Sequence, residues 1–155
     1  MNKTTLLYSL IDRGDVYYNI KGSTPAEVLA SLVKVAKMPK SIDKKALREA
    51  LMERESIATT AIGNGFAIPH PRHHLAAGEK DTMVAVAYLD TPLEWGALDG
   101  KPVSTLFLVL SAEVQNHLSA LSAIACLAGN EKFKMMMAKQ PSKKEMLEYL
   151  SGAGC

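Results

Sequence analysis

A chain of 155 residues, 48% hydrophobic and 22% charged, has the length of one ordinary domain and too much apolar content for extended disorder, so residues 1–155 read as a single domain. The net charge is only +2, and Lys and Arg are scattered in pairs such as Lys44–Lys45 and Lys143–Lys144, which excludes a basic stripe and gives no reason to expect direct nucleic-acid binding. The longest apolar runs, such as Val103 to Ala112, fall short of the ~20 residues of a membrane span, and the start does not read as a signal peptide, so no direct membrane insertion is expected.

Strand-like and helix-like segments alternate, which favours an α/β layered fold. Thr4 to Ile11 reads as an amphipathic helix ending near Gly14, and Val16 to Ile20 as a strand. Thr24-Pro25-Ala26-Glu27 is a capping box with proline at the first helical position, and Val28, Leu29, Leu32, Val33 and Ala36 have the spacing of one buried face. Pro39 stops that helix, and a second, about Asp43 to Arg54, buries Leu47, Ala50 and Leu51. Ile57 to Ile62 and Phe66 to Pro69 are strand-like segments separated by Gly63-Asn64-Gly65. Met83 to Leu89 and Val103 to Leu110 are apolar on both faces and belong in the centre of a sheet. The last third is helical: Val114 to Ala128 closed by Gly129, then Glu131 to Lys139, then a helix opened by the capping box Ser142-Lys143-Lys144-Glu145. Cys126, inside an apolar helical run, reads as a buried reduced thiol, and a reducing cytoplasm as its setting.

The residues with chemistry to offer cluster around the Gly-Asn-Gly segment. His70 follows a short apolar strand, and Pro69 restricts the backbone that aims its ring. Histidine keeps a neutral, nucleophilic nitrogen near pH 7. The plainer alternative is that Gly63-Asn64-Gly65 is a hairpin turn and His70 a strand-end residue without a task. His117 shares a helical stripe with Leu121, Ile124 and Ala128, at the N-terminal end where free N–H groups favour an anion; its plainer reading is a satisfied cap or interior histidine. Arg54 is a forked donor for phosphate oxygens or a solvated arginine at a helix C-terminus. Thr59 and Thr60 offer hydroxyls that a strand does not require. His70, His73 and His74 lack a Cys or carboxylate at ligand spacing and an i, i+4 pairing, so no metal site is expected. Trp95 reads as a packing residue beside a turn.

Gly63-Asn64-Gly65-Phe66-Ala67-Ile68-Pro69-His70 resembles the phosphorylation-site signature of the IIA components of the bacterial phosphoenolpyruvate-dependent phosphotransferase system, in the fructose/mannitol class that includes the nitrogen-regulatory IIA proteins. The likeness extends to Leu47–Ser56, to Leu93–Leu110 with its Asp99-Gly100-Lys101-Pro102-Val103, and to the second-histidine segment Gln115 to Ser122. It implies a three-layer α/β/α sandwich with a mixed central sheet, a cytoplasmic location and no cofactor. Carried over position by position, His70 is the phosphoryl acceptor, His117 the second active-site histidine and Arg54 the group that steadies the phosphoryl oxygens. Thr60, Gly63, Asn64, Gly65 and Arg72 form the phosphate-binding loop. The implied partners are a histidine phosphocarrier protein as donor and either a IIB domain or a regulated partner protein beyond it. A regulatory role is favoured by the nitrogen-type start of the chain.

Pro71 stands where relatives carry a small residue, often glycine, and Ala58 and Ala61 stand where glycine is frequent. Proline removes an N–H, so Arg72 either substitutes as donor or docks an acidic partner. The competing reading is an interaction module derived from a IIA domain that no longer takes phosphate.

Overall fold

The computed structural model describes residues 2–73 and 75–153. Helix α1 (Lys3–Gly14) starts at Asn2, whose side chain accepts the Thr5 N–H, and ends where Gly14 meets the sheet. A Cβ at Gly14 would sit on the Val84 carbonyl, so only glycine allows this approach. Strand β1 (Val16–Ile20) leads to α2 (Pro25–Val35), capped by the Thr24 hydroxyl, and then to α3 (Lys44–Ile57), capped by Asp43. Glu27 reaches back to the Ser23 N–H, one residue before the expected partner of a capping box.

Strands β2 (Ala61–Gly63) and β3 (Phe66–Ala67) form a short hairpin, followed by β4 (Met83–Leu93) and β5 (Val103–Leu110). The chain ends in α4 (Val114–Ala128), α5 (Glu131–Ala138) and α6 (Lys143–Gly152). The capping box at α6 is formed in both directions, between Ser142 and Glu145.

The expected boundaries shift in several places, and β4 runs on past Leu89 to Leu93. Ile57 belongs to α3 and not to a strand, because Arg54 donates to the Ala58 carbonyl and so satisfies an acceptor at the helix end. β3 stops at Ala67 because Pro69 has no N–H to give a ladder. The segment nevertheless stays beside β5, where the Pro69 carbonyl accepts the Val109 N–H.

The sheet has five strands in the order β1-β4-β5-β3-β2. β1 runs parallel to β4 and β3 parallel to β5, while β4/β5 and β2/β3 are antiparallel, so the sheet is mixed. Period-two alternation assigns its two faces. Val84, Val86, Tyr88, Phe107 and Val109 meet α1, α4, α5 and α6 on one side. Met83, Ala85, Ala87, Leu89, Leu106, Leu108 and Leu110 meet α2 and α3 on the other. The architecture is therefore an α/β/α sandwich. Both faces of β4 and β5 are buried, as their continuous apolar sequences require, and each large side chain hidden here contributes about 1.5–3 kcal/mol.

Trp95 is 4% exposed and packs in the α2/α3 core, as a packing residue should. Cys126 departs from expectation. It lies on the exposed side of α4 and is disulfide-bonded, because α4 turns Ala123, Ile124 and Leu127 to the core and leaves the cysteine outside. Among the described residues no helix is long and apolar enough to cross a membrane.

Candidate active site

β3 and β5 are parallel neighbours, so whatever follows them emerges at the same end of the sheet. The segment after β3 delivers His70. β5 is followed by the turn into α4, whose first turn carries His117, with its N–H bonded to the Glu113 carbonyl. Two histidines remote in sequence thus meet, their rings 4.9 Å apart between centroids and edge to face. The third contribution comes from the α2/α3 side. α3 ends beside the start of β2, and the Thr60 carbonyl accepts the Ile68 N–H two residues before His70. That junction brings the Arg54 guanidinium and the Glu55 carboxylate within electrostatic reach of the His70 ring.

The half-buried His70 ring is oriented by its own backbone. Nδ1 lies 2.7 Å from the Ile68 carbonyl oxygen. A carbonyl only accepts, so Nδ1 carries the proton and donates it, and Nε2 is left with its lone pair. Burial is the largest influence on the ring and lowers its pKa below the ordinary 6.5; the Ile68 carbonyl opposes this, the Arg54 charge adds to the lowering, and the Glu55 charge opposes it. A neutral ring with a bare, directed Nε2 is the form a nucleophile needs.

Arg54 uses one N–H on the Ala58 carbonyl, 2.7 Å away, and the rest of its fork makes no further hydrogen bond or ion pair among the described residues. Arg72 is more than half exposed and pairs with Glu53 at 3.2 Å, on the outer surface of α3. Pro71 is buried. His73 is exposed and His74 lies outside the described residues. Among the described residues no group of three His, Cys, Asp or Glu could hold a metal ion.

Gly63, Asn64 and Gly65 are not brought to His70. They form the tip of the β2/β3 hairpin, with Gly63 paired to Phe66 and positive φ at Asn64 (58°) and Gly65 (87°), the signature of a two-residue type I′ turn. Four residues lie between Gly65 and His70, five steps that span about 16 Å of chain when extended. Asn64 faces the other way: its side chain donates to the Ala128 carbonyl at 3.1 Å, at the end of α4 opposite His117. Its N–H donates to Asp99 at 2.8 Å, and this bond, followed by one from the Lys101 N–H, holds the Asp99 carboxyl below the usual carboxylate range. The Gly-Asn-Gly signal and the Asp99 segment are thus halves of one structural clasp. Asn64→Ala should lower stability by about 1–2 kcal/mol, through the left-handed backbone and the lost bond, while phosphorylation at saturating donor changes less than twofold. Urea denaturation beside a labelling assay checks both; a loss of labelling at unchanged stability would return these residues to the site.

Thr60, by contrast, is at the site but is already engaged. Its hydroxyl and its N–H both donate to Glu55, each at 2.6 Å. Sequence reasoning passed over Glu55, which reads as one more charge in a helical turn. The available signal was a carboxylate at a helix C-terminus, where the dipole disfavours it, just ahead of Thr59-Thr60.

Residues 9–153 match the family "Phosphoenolpyruvate-dependent sugar phosphotransferase system, EIIA 2". A nitrogen regulatory protein of Pseudomonas aeruginosa is 30% identical over 147 residues, spanning 93% of this chain and 94% of its own. The fructose-specific EIIABC component of Bacillus subtilis is 28% identical over 145 residues, which are 92% of this chain but 22% of that longer protein. The crystal structure of the nitrogen regulatory protein IIA-Ntr from Neisseria meningitidis has the same fold, with a TM-score of 0.79 at 24% identity over 94% of this chain and 99% of that one. The Escherichia coli mannitol IIA, solved in complex with phosphorylated IIB, also shares it, with a TM-score of 0.67 at 17% identity over 90% and 95% of the two chains. With the match spanning nearly all of the sequence, and two histidines meeting where paired parallel strands end, this chain belongs to the EIIA type 2 family of the phosphoenolpyruvate-dependent phosphotransferase system.

Proposed function

We propose that Nε2 of His70 accepts one phosphoryl group from a histidine phosphocarrier protein in the cytoplasm, and that the protein signals through the resulting change of charge. The observation that carries this reading is the Nδ1–Ile68 hydrogen bond, which leaves Nε2 as the one nucleophilic ring nitrogen of His70. In the transfer, the donor's N–P bond breaks and its electron pair stays with the donor imidazole, while the Nε2 lone pair forms the new N–P bond. The proton stays on Nδ1, which goes on donating it to the Ile68 carbonyl. Such a transfer needs in-line placement and stabilised equatorial oxygens more than covalent machinery. The unused fork of Arg54 and the imidazole of His117 are the donors for those oxygens. Their supply makes the N–H lost at Pro71 dispensable, which weighs against a silent interaction module.

The regulatory use is supported by likeness to nitrogen regulatory proteins over almost their full length. A second use, onward transfer to a IIB domain, is supported by the mannitol IIA structure solved with phosphorylated IIB and by the fructose-specific relative. The test is incubation with phosphoenolpyruvate, enzyme I and a histidine phosphocarrier, followed by addition of IIB domains. An acid-labile gain of one phosphoryl group is expected, persisting when IIB is added. Rapid discharge onto one IIB would establish the transport role, and no gain with either sugar-type or nitrogen-type donors would favour the silent module.

The pH dependence has a definite sign. Protonation of Nε2 removes the nucleophile, and burial lowers the pKa, so the phosphorylation rate falls on acidification with its inflection below the ordinary 6.5. A single-turnover pH profile with its inflection above 6.5 would contradict this.

A further inference from the structure

The Glu55 carboxylate spans two donors of one residue: Oε2 accepts the Thr60 N–H and Oε1 the Thr60 hydroxyl, each at 2.6 Å. Thr60 is only 4% exposed, and its carbonyl in turn accepts the Ile68 N–H at 3.0 Å. The Ile68 carbonyl, on the same residue, then takes Nδ1–H of His70 at 2.7 Å. Four hydrogen bonds therefore run without a gap from a carboxylate at the end of α3 to the ring nitrogen opposite the nucleophile. A charged acceptor makes the first two bonds strong, and Thr60 and Ile68 are each held at both their N–H and their C=O.

We infer that Glu55 is a positioning residue for phosphoryl transfer: by clamping Thr60 it fixes the Ile68 carbonyl, and so sets the tautomer and aim of His70. The assignment rests on reading His70 as the phosphoryl acceptor. It also removes Thr60 from the expected phosphate-binding loop. A phosphoryl oxygen needs a donor, and the one hydroxyl proton of Thr60 is committed to Glu55. Phosphorylation raises the demand on the chain, because a ring substituted at Nε2 and protonated at Nδ1 carries positive charge beside the Ile68 carbonyl. The Glu55 charge, which already favours the charged ring, acts in the same direction.

Two near-isosteric variants test the chain. Glu55→Gln keeps one acceptor oxygen and turns an NH₂ toward the second donor; Glu55 borders a cavity of about 280 Å³ with Met52, Thr59 and Trp95, which leaves room for the amide. Thr60→Val deletes the hydroxyl and keeps the N–H. The readout is the tautomer of His70, followed by ¹⁵N NMR of the histidine rings in the unphosphorylated protein, so it does not depend on the acceptor reading. The parent is expected to show the Nδ1–H form alone. Both variants should mix in the Nε2–H form, with phosphorylation slowed about 100-fold at unchanged KM for the donor. The double variant should be no worse than the worse single one, since both break the same chain. A shifted His70 pKa with the parent tautomer would reduce Glu55 to a nearby charge and overturn the inference. So would a shortened phosphohistidine lifetime in Thr60→Val with the parent tautomer, which would make Thr60 a phosphate ligand. The expected tautomer shift in both variants, with no labelling of the parent, would leave the chain standing and sink the acceptor reading alone.

Discussion

His70→Ala removes all acid-labile phosphate from the protein and leaves its unfolding midpoint nearly unchanged. The first half of this result follows from the tautomer. His70 is the ring held by a backbone carbonyl at Nδ1, with Nε2 bare and the Arg54 charge within electrostatic reach. The second half follows from position. His70 lies past the end of β3, is half-buried, and gives the fold one hydrogen bond to a carbonyl two residues away, so its removal should cost about 1 kcal/mol or less. The measurement is intact mass after labelling, with thermal unfolding on the same preparation. Residual stoichiometric labelling of a folded variant would move the phosphoryl group to another residue.

The second large effect belongs to His117→Ala, and it should separate two steps that His70→Ala abolishes together. His117 sits on the first turn of α4, edge to face with His70 at 4.9 Å. The proposed function makes it a donor for the phosphoryl oxygens as charge develops on them, aided by the helix N-terminus it occupies. Removing one preorganised donor of this kind costs about 10²–10³ in rate. The variant should therefore still reach one phosphoryl group per chain given time, while exchange of that group with the phosphocarrier slows by about that factor. Quench-flow measurement of both directions checks it. Equal loss in final stoichiometry and in rate would instead mean that His117 accepts the group itself.

Much of the fold was legible because single local signals decide it. The continuous apolar runs Met83–Leu89 and Val103–Leu110 placed both strands in the centre, and the caps at Thr24 and Ser142 sit where the sequence puts them. Less legible was that the phosphorylation signature spans two places in the structure. Gly63-Asn64-Gly65 belongs to it by adjacency, while the turn preference of Asn-Gly places these residues at a hairpin tip against Asp99 and Ala128. Arg72 was drawn toward the site by the same adjacency and instead pairs with Glu53 outside it. Glu55 was missed for the opposite reason. Its task is apparent only once α3, β2 and β3 are folded against one another, since the chain of bonds crosses all three segments. Cys126 shows the limit of periodicity in a short apolar run: a helix with small residues on its inner face leaves one cysteine outside without breaking the pattern.

The central claim is that Nε2 of His70 holds the phosphoryl group, and ¹⁵N–³¹P NMR of the freshly phosphorylated protein tests it most directly. The expected spectrum shows one phosphorus coupled to Nε2 of a single histidine, absent from His70→Ala, with Nδ1 still protonated. Coupling to Nδ1, or to a ring nitrogen of His117, would contradict the account at its root.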